Sequence, residues 1–220
     1  MTDFVSARRK MVDNQLMTNS VTDRRLLQAM GQVPRELFVP ESRRDLAYID
    51  DAHRLNDARP PRYLMAPASF ARLVQLGGVS PADRVLDLGC GAGYSTAVLA
   101  RLAASVVGVE PDATLAATAR ANLAGLGYGN AEVLNGAIAD GARTRAPFDL
   151  ILLEGMVDAV PTALFAQLAE GGRLVSVERQ GTTGVTHLYV RSGRDVAGRA
   201  EFNLTPPALE AAPVTPAFIF

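Results

Sequence analysis

The sequence predicts an α/β protein with a doubly wound, mostly parallel Rossmann-like sheet and an N-terminal helical extension. Two observations support this prediction. From residue 83 onward, apolar segments of strand length alternate with helical segments, which is typical of βαβ units. A glycine-rich turn at 87–93 follows the first of these strands, and Glu110 ends the second. We therefore expect a single domain over residues 1–220, in which residues 67–220 form the sheet core and a C-terminal arm.

The expected elements of the core follow the apolar pattern in chain order. A helix begins at Pro67, because proline suits the first turn of a helix, and it ends at the glycine pair Gly77-Gly78. The predicted strands are 84–88, 105–109, 131–135, 148–153, 172–178 and 186–191, and the predicted helices between them are 94–103, 112–126 and 161–169.

The two ends of the chain are expected to pack against this core. Residues 1–66 are predicted to begin with helices, with Thr22 as an N-cap, and to become irregular over 49–66 around Pro60-Pro61. We expect this extension to cap the substrate side of the core. The tail, Leu204–Phe220, mixes prolines with apolar residues and is predicted to pack on the core as an arm.

Composition limits the possible functions. The chain has 220 residues, of which 48% are hydrophobic and 20% charged, as in globular proteins. A net charge of −1 gives no electrostatic reason to expect nucleic-acid binding. No apolar run approaches the ~18 residues of a membrane span. The N-terminus lacks the pattern of a signal peptide. The single cysteine, Cys90, excludes an intramolecular disulfide and fits the cytoplasm. No metal site is predicted, and the oligomeric state stays open.

The glycine turn has the chemistry of a nucleoside site. Gly89, Gly91 and Gly93 let the backbone turn sharply and approach a ligand that a Cβ would keep away. The helix that follows presents unpaired N–H groups. At the end of the next strand, Glu110 would accept hydrogen bonds from two ribose hydroxyls, with Pro111 beside it.

The spacing of the turn favours one cofactor over another. A dinucleotide turn has the spacing G-x-G-x-x-G, whereas this turn reads D-x-G-x-G-x-G with Asp87 at the strand end. A carboxylate would repel a pyrophosphate, but it suits the cationic methionine end of S-adenosylmethionine (SAM). SAM is therefore the predicted cofactor. Its predicted contacts from this region are Asp87, Gly89, Cys90, Gly91, Gly93, Tyr94, Glu110 and Pro111.

Cys90 has two possible roles in this turn. A thiol could act as a nucleophile, but no base is evident beside it in the sequence. Small residues are also favoured at such turns for steric reasons, and this second reading is preferred.

At this point the residues resemble the protein-L-isoaspartate O-methyltransferase family over nearly the whole chain. The N-terminal signature is Val-Pro-Arg-Glu-Leu-Phe-Val-Pro at 33–40, followed by Leu-Ala-Tyr at 46–48. Residues 83–94 resemble the family's SAM turn, and 168–175 resemble one of its later strands. The resemblance implies a SAM-dependent carboxyl O-methyltransferase of protein repair, with a peptide carboxylate as the acceptor.

The substrate segment departs from the family pattern. When Pro67 is placed on the family's proline, residues 61–65 fall across a Gly-Gln-Thr-Ile-Ser-type segment that holds the isoaspartyl substrate. The family's serine or threonine hydroxyl, which lies near the reacting carboxylate, is then replaced by Met65, a thioether that cannot donate a hydrogen bond. Tyr63 falls on the threonine. The resemblance implies substrate contacts from Arg62, Tyr63 and Met65.

The adenine turn also departs from the family. A Gly-Asp-Gly turn after the third strand, whose acid contacts adenine, is replaced here by Gly136-Ala137-Ile138. The resemblance places Gly136 and Ala137 at the cofactor, with only backbone groups available from Ala137.

Glu154 is the candidate catalytic residue. It follows the strand predicted at 148–153, and ligands of doubly wound sheets lie at the carboxyl ends of strands near the topological switch point. Glu154 could act as a general base or orient a cationic substrate, or it could be a solvated carboxylate or one paired with an arginine such as Arg62. His53, in the irregular segment, could line the substrate cleft, but a surface position is favoured.

Three hypotheses follow from these observations. The first is a SAM-dependent methyltransferase of the isoaspartyl type that methylates a peptide carboxylate. The second is a methyltransferase for a small-molecule acceptor held near Tyr63, Met65 and Glu154. The third is a non-catalytic protein that binds SAM or S-adenosylhomocysteine.

Overall fold

A computed structural model describes residues 2–209, in which a seven-stranded sheet lies between helices. The α-helices are α1 (Phe4–Met11), α2 (Arg24–Met30), α3 (Pro67–Gly77), α4 (Tyr94–Ala100), α5 (Ala113–Gly125) and α6 (Thr162–Phe165). The strands are β1 (His53–Arg54), β2 (Tyr63–Leu64), β3 (Arg84–Leu88), β4 (Ser105–Glu110), β5 (Ala131–Asn135), β6 (Phe148–Val157), β7 (Leu168–Gln180), β8 (Thr183–Ser192) and β9 (Asp195–Asn203).

The main sheet has the predicted doubly wound topology. Its strand order is β5-β4-β3-β6-β7-β8-β9, with parallel pairing from β5 to β7 and antiparallel pairing at β8 and β9. The chain moves outward from β3 to β5 and then returns to place β6 on the other side of β3. The topological switch point therefore lies between β3 and β6, where ligands bind in such sheets.

The two faces of the sheet bury separate apolar clusters. Along β3, Val85 packs with α3, α4 and α5, whereas Leu86 and Leu88 pack on the opposite face. Along β6, Leu152 belongs to the first face and Leu153 to the second. Because side chains alternate along a strand, Asp87 and Glu154 both belong to the face that carries α4.

Every predicted strand is present, but the bounds are accurate near the glycine turn and too short further along. The predicted bounds of β3 and β5 match, but β6 continues to Val157, so Glu154 lies inside the strand and not at its end. The helix predicted at 161–169 is only the short α6. The glycine pair Gly171-Gly172 lies within β7. This strand pairs with β6 at Phe148, and the register between the two strands then shifts before Leu150. The edge strand β9 was missed, because most of its residues are exposed and carry no apolar alternation.

The N-terminal extension is helical, as predicted, but its segments are short. After α1 the chain forms a π-helical turn at Val12–Leu16 and a 3-10 turn at Met17–Asn19, and 3-10 turns recur at Arg35–Phe38 and Glu41–Leu46. Asp23, not Thr22, caps α2, since its carboxylate accepts the N–H groups of the first turn. Among the helices of residues 2–209, none has the length and apolar character needed to cross a bilayer.

Two peripheral segments cover the carboxyl edge of the sheet. Strands β1 and β2 form a hairpin in which His53 pairs with Leu64, within the segment predicted to be irregular. The start of the predicted C-terminal arm also packs on the core: Met156 pairs with Ala208, and Leu209 is buried. The rest of that predicted arm, 210–220, lies outside the described residues.

Candidate active site

The turn after β3 has the backbone of a ligand cradle. Gly89, Gly91 and Gly93 have φ values of 86°, 56° and 96°, in the left-handed region that favours glycine. Gly93 also packs against α5, since a Cβ built there would lie 3.2 Å from the Cα of Ala119. The turn delivers the chain into α4, so the predicted role of these glycines agrees with their geometry.

Asp87 lies at the end of β3 and has one carboxylate oxygen available. Its Oδ2 accepts hydrogen bonds from Ser95 Oγ at 2.7 Å and Thr96 Oγ1 at 2.6 Å, both from the first turn of α4. Its Oδ1 is buried and has no hydrogen-bond partner within residues 2–209. Burial raises the pKa of Asp87 to about 6, and the negative charge of Glu110 contributes. A cationic ligand group beside Oδ1 would favour the ionised form.

Glu110, at the end of β4, is fully buried and accepts four hydrogen bonds. Oε1 accepts from Asp112 N at 3.1 Å and Arg62 Nε at 3.0 Å, and Oε2 accepts from Gly91 N at 2.8 Å and Arg62 Nη2 at 3.1 Å. The predicted ribose acceptor is therefore in place, but a guanidinium holds it.

Arg62 joins three parts of the site, and its partners differ from the predicted ones. Besides the two bonds to Glu110, its Nη1 donates to Leu209 O at 2.6 Å and its Nη2 to Gly89 O at 3.1 Å. The expected alternative, a pair between Arg62 and Glu154, is not formed. The hairpin fixes this arrangement, because Arg62 precedes β2 and its N–H donates to Asn56 Oδ1.

A cleft of about 390 Å³ adjoins this ion pair. Its walls include Pro111 and Ala137, both predicted cofactor residues, together with Ile138, and Arg62 and Leu209 form its inner end. Gly136 lies just before this wall and donates its N–H to Glu110 O. The dimensions and the mixed polar and apolar walls suit an adenine ring and a ribose.

Glu154 is buried at the switch point, on the same face of the sheet as Asp87. β6 lies beside β3 with Leu153 opposite Leu88, so Glu154 lies next to the glycine turn. Its Oε1 has no hydrogen-bond partner within residues 2–209. Burial raises the pKa of Glu154 well above its ordinary value, and the charge of Asp87 adds to the shift, while Arg62 and Arg35 oppose it. Burial therefore favours the neutral form of the Glu154 carboxyl group, which can donate a hydrogen bond.

The other predicted substrate residues lie close to the hairpin. Met65 follows β2 and is buried, with its carbonyl accepting a 2.5 Å hydrogen bond from Arg35 Nη2. Tyr63 lies on β2 opposite Arg54 and is only partly buried. His53 is buried and not on the surface as expected, and burial lowers its pKa to about 4, so its ring is neutral.

Cys90 and Tyr94, two of the predicted cofactor contacts, are buried at the turn and at the start of α4. Burial raises the pKa of the Cys90 thiol, with the carboxylates of Asp87 and Glu110 adding to it, which argues against a nucleophile. Tyr94 is buried in α4, and the guanidinium of Arg35 lies 4.8 Å from the centre of its ring. The thiol of Cys90 and the phenol of Tyr94 are thus both buried next to the turn.

Sequence reasoning missed four contributors to the site. Ser95 and Thr96 were assigned only to a helix, although two hydroxyls directly after a glycine turn are a usable signal. Asp112 follows Glu110 by two residues and caps α5 with its carboxylate, a pattern readable from the sequence. Leu209 had no local signal, because its position over Gly89 depends on the path of the tail.

The residues fit a SAM molecule. The cradle, the ribose acceptor Glu110, the available oxygen of Asp87 and the adjoining cleft match the parts of that cofactor in order. The fit requires movement at one point: a Cβ built on Gly89 would lie 2.4 Å from Leu209 Cδ1 and 2.7 Å from Arg62 Nη2, so both side chains occupy the space above the turn. Fold and site together define a SAM-dependent methyltransferase.

Comparison with known proteins specifies the family. The family model described as protein-L-isoaspartate(D-aspartate) O-methyltransferase (PCMT) matches residues 6–199. The chain belongs to this family.

Sequence relatives agree with this assignment. The chain is 39% identical over 199 residues to protein-L-isoaspartate O-methyltransferase 2 of Anaeromyxobacter sp. (strain Fw109-5), covering 90% of this chain and 80% of the relative. It is 42% identical over 173 residues to protein-L-isoaspartate O-methyltransferase of Roseiflexus sp. (strain RS-1), covering 79% and 78%.

Solved structures agree as well. A protein-L-isoaspartate O-methyltransferase structure matches with a TM-score of 0.80 and 26% identity, covering 91% of this chain but only 65% of that one. A structure from Plasmodium falciparum, titled as a putative member of the family in complex with S-adenosyl-L-homocysteine, matches with a TM-score of 0.76 at 20% identity over 96% of this chain and 99% of that one, and supports the fold.

Proposed function

We propose that this enzyme transfers the methyl group of SAM to a peptide carboxylate, with an isoaspartyl residue as the acceptor. The observation that carries this choice is the environment of Glu154, which is buried with Oε1 unpartnered within residues 2–209, so that its pKa is raised and the neutral form is favoured. A protonated carboxyl group cannot remove a proton from a hydroxyl or amine acceptor. A carboxylate acceptor needs no base, and it accepts a hydrogen bond readily.

In this proposal Glu154 replaces the hydroxyl group that Met65 lacks. The family's Ser or Thr hydroxyl lies near the reacting carboxylate, and Met65 cannot donate a hydrogen bond there. The O–H of Glu154 would donate to the carboxylate oxygen that does not react, so that the other oxygen faces the methyl group. The neutral acid thus holds an anionic acceptor without repelling it.

The remaining residues position the reactants. Bound SAM would supply a methyl group on a sulfonium, and transfer to the acceptor oxygen would form the O–CH₃ bond while the S–CH₃ electron pair stays with sulfur as a neutral thioether. Glu110 would hold the ribose, and Asp87 would lie near the cationic end. Most of the acceleration then comes from alignment, which can supply about 7 kcal/mol or more.

The predicted substrate cap and the predicted cellular location are also part of this proposal. The hairpin of β1 and β2, within the extension 1–66, would serve as the substrate cap, with Tyr63 facing a bound peptide. A cytoplasmic location is supported by the buried free thiol of Cys90.

The test is transfer of labelled methyl to an isoaspartyl peptide, with the matched aspartyl peptide as control. We expect label on the isoaspartyl peptide alone. Loss of a hydrogen bond to a charged group predicts that Glu154→Ala reduces transfer by about 10- to 100-fold. Glu154→Gln keeps an N–H donor and should retain most of the transfer.

Two outcomes would contradict the proposal. If the wild type binds S-adenosylhomocysteine but labels neither peptide, the acceptor is not a peptide carboxylate. If Glu154→Gln is as impaired as Glu154→Ala while both remain folded by circular dichroism, a donor role for Glu154 is wrong. Labelling of a small hydroxyl compound instead would favour the small-molecule hypothesis.

A further inference from the structure

Arg62 occupies the groups that the cofactor needs. Its guanidinium takes one lone-pair position on each oxygen of Glu110 and also donates to Gly89 O, in the cradle. A ribose diol would have to use the same carboxylate oxygens. The Arg62 guanidinium therefore donates the hydrogen bonds that the ribose hydroxyls of the cofactor would donate. The guanidinium and the ribose cannot both occupy the same positions on the Glu110 carboxylate.

The same guanidinium also holds the chain that covers the turn. Arg62 Nη1 donates to Leu209 O, and Leu209 places its side chain over Gly89. The segment is otherwise attached to β6 by two backbone hydrogen bonds, Met156 N to Pro207 O and Leu209 N to Met156 O. Release of Arg62 would thus loosen both the ion pair and the arm.

A released Arg62 needs a new partner. An uncompensated guanidinium in a buried site is costly, so it will pair with the nearest available anion. Burial favours the neutral form of Glu154, and Asp87 lies beside the cationic end of the cofactor in the proposed arrangement. Asp112 also lines the cleft, but its carboxylate already accepts hydrogen bonds from the first turn of α5 and from Asn56. The carboxylate of the acceptor supplies the anion that the guanidinium then needs.

We propose that cofactor binding displaces Arg62 from Glu110 and thereby creates the acceptor site, in which Arg62 binds the substrate carboxylate. The proposal rests on carboxyl methylation as the proposed function. It makes the acceptor site conditional on the cofactor, so that the two ligands bind with positive coupling. Arg62 falls on the glutamine of the family's substrate segment, and a glutamine there could not form this ion pair.

The first experiment is calorimetry with S-adenosylhomocysteine, which binds without turnover. Arg62→Gln removes the competing cation and should bind it about 10-fold more tightly than the wild type. The matched control is Arg54→Gln, in the same hairpin, where Arg54 is exposed, forms an ion pair with Asp57 and donates from Nε to Asn56 O. It should bind as the wild type does. Unchanged or weaker binding by Arg62→Gln would overturn the displacement.

The second experiment measures binding of a fluorescent isoaspartyl peptide with and without S-adenosylhomocysteine. In the wild type and in Arg54→Gln, saturation with S-adenosylhomocysteine should tighten peptide binding by about 10-fold. In Arg62→Gln this coupling should disappear. Equal coupling in all three proteins, or no peptide binding in any state, would overturn the acceptor step.

A wild-type measurement keeps the inference testable if Arg62→Gln does not fold. Hydrogen exchange at the amide of Leu209 should become faster when S-adenosylhomocysteine binds, because Arg62 no longer holds that residue. Slower or unchanged exchange would count against displacement. These binding results are separate from methyl transfer, so failure of the labelled-peptide assay alone would remove the proposed acceptor but not the exchange at Glu110.

Discussion

Two buried glutamates lie on the strands that flank β3, and they differ in their hydrogen-bond partners. Glu110, beyond one side of β3, accepts four hydrogen bonds and is paired with Arg62. Glu154, on the other side, has an oxygen without a partner within residues 2–209 and a raised pKa. Burial is similar, so the neighbours decide the charge. One side of the switch point therefore holds a paired carboxylate, the predicted ribose acceptor, and on the other side burial favours the neutral acid that we propose for an anionic acceptor.

The largest expected effect on stability comes from breaking the ion pair between Glu110 and Arg62. Glu110→Gln leaves Arg62 buried without its counter-ion, and breaking a buried pair in this way lowers the free energy of unfolding by about 3 to 5 kcal/mol. Adding Arg62→Gln should recover part of this loss, because the uncompensated charge is gone. Urea unfolding of both single variants and the double variant measures the coupling. If the two losses simply add, the pair does not stabilise the fold.

The stability that Glu154 contributes to the fold should depend on pH. The folded-state pKa of Glu154 lies above its ordinary value of 4.5, so the folded state holds this proton more tightly than the unfolded state. The resulting stability is fully present below about pH 4.5 and is lost as the pH rises toward the folded-state pKa. Glu154→Gln has no such proton to lose.

Thermal unfolding of the wild type and Glu154→Gln across this pH range tests the difference. We expect the wild type to lose stability relative to the variant by at most about 1.4 kcal/mol per pH unit within the window. A constant difference between the two proteins at every pH would show that the folded state does not hold the Glu154 proton more tightly than the unfolded state.

The smallest expected effect is that of a partly exposed ion pair, and it serves as the reference for the Glu110 and Glu154 variants. Arg179 and Asp158 form a 2.8 Å ion pair whose side chains are 31% and 40% exposed. Asp158→Asn should change the free energy of unfolding by only about 0.5 kcal/mol, because solvent screens such a pair. A loss as large as that of Glu110→Gln would mean that burial does not explain the strength of the Arg62 pair.

The side of the site that binds the cofactor could be predicted from the sequence. Gly89, Gly91, Gly93 and Glu110 are close in sequence, and their chemistry depends on one βαβ unit whose strands and helices follow local patterns. The acceptor side could not be predicted in the same way. Arg62 and Leu209 are 147 residues apart and meet only because the hairpin and the arm converge on the same turn.

Glu154 shows the same limit at a single residue. The sequence placed it at the switch point, but it could not separate a base, a paired carboxylate and a neutral acid. That choice depends on which charges lie nearby after folding, since Arg62 is drawn to Glu110 and Asp87 is left facing Glu154.

The sequence by itself determined the doubly wound sheet, the cofactor class and the family, because each follows from local periodicity and from motifs of adjacent residues. Only the tertiary structure decided which carboxylate is paired, which one has a raised pKa, and that Arg62 holds Glu110, the predicted ribose acceptor. The physical reason is that charge states in a buried site are set by desolvation and by neighbours brought together from distant segments.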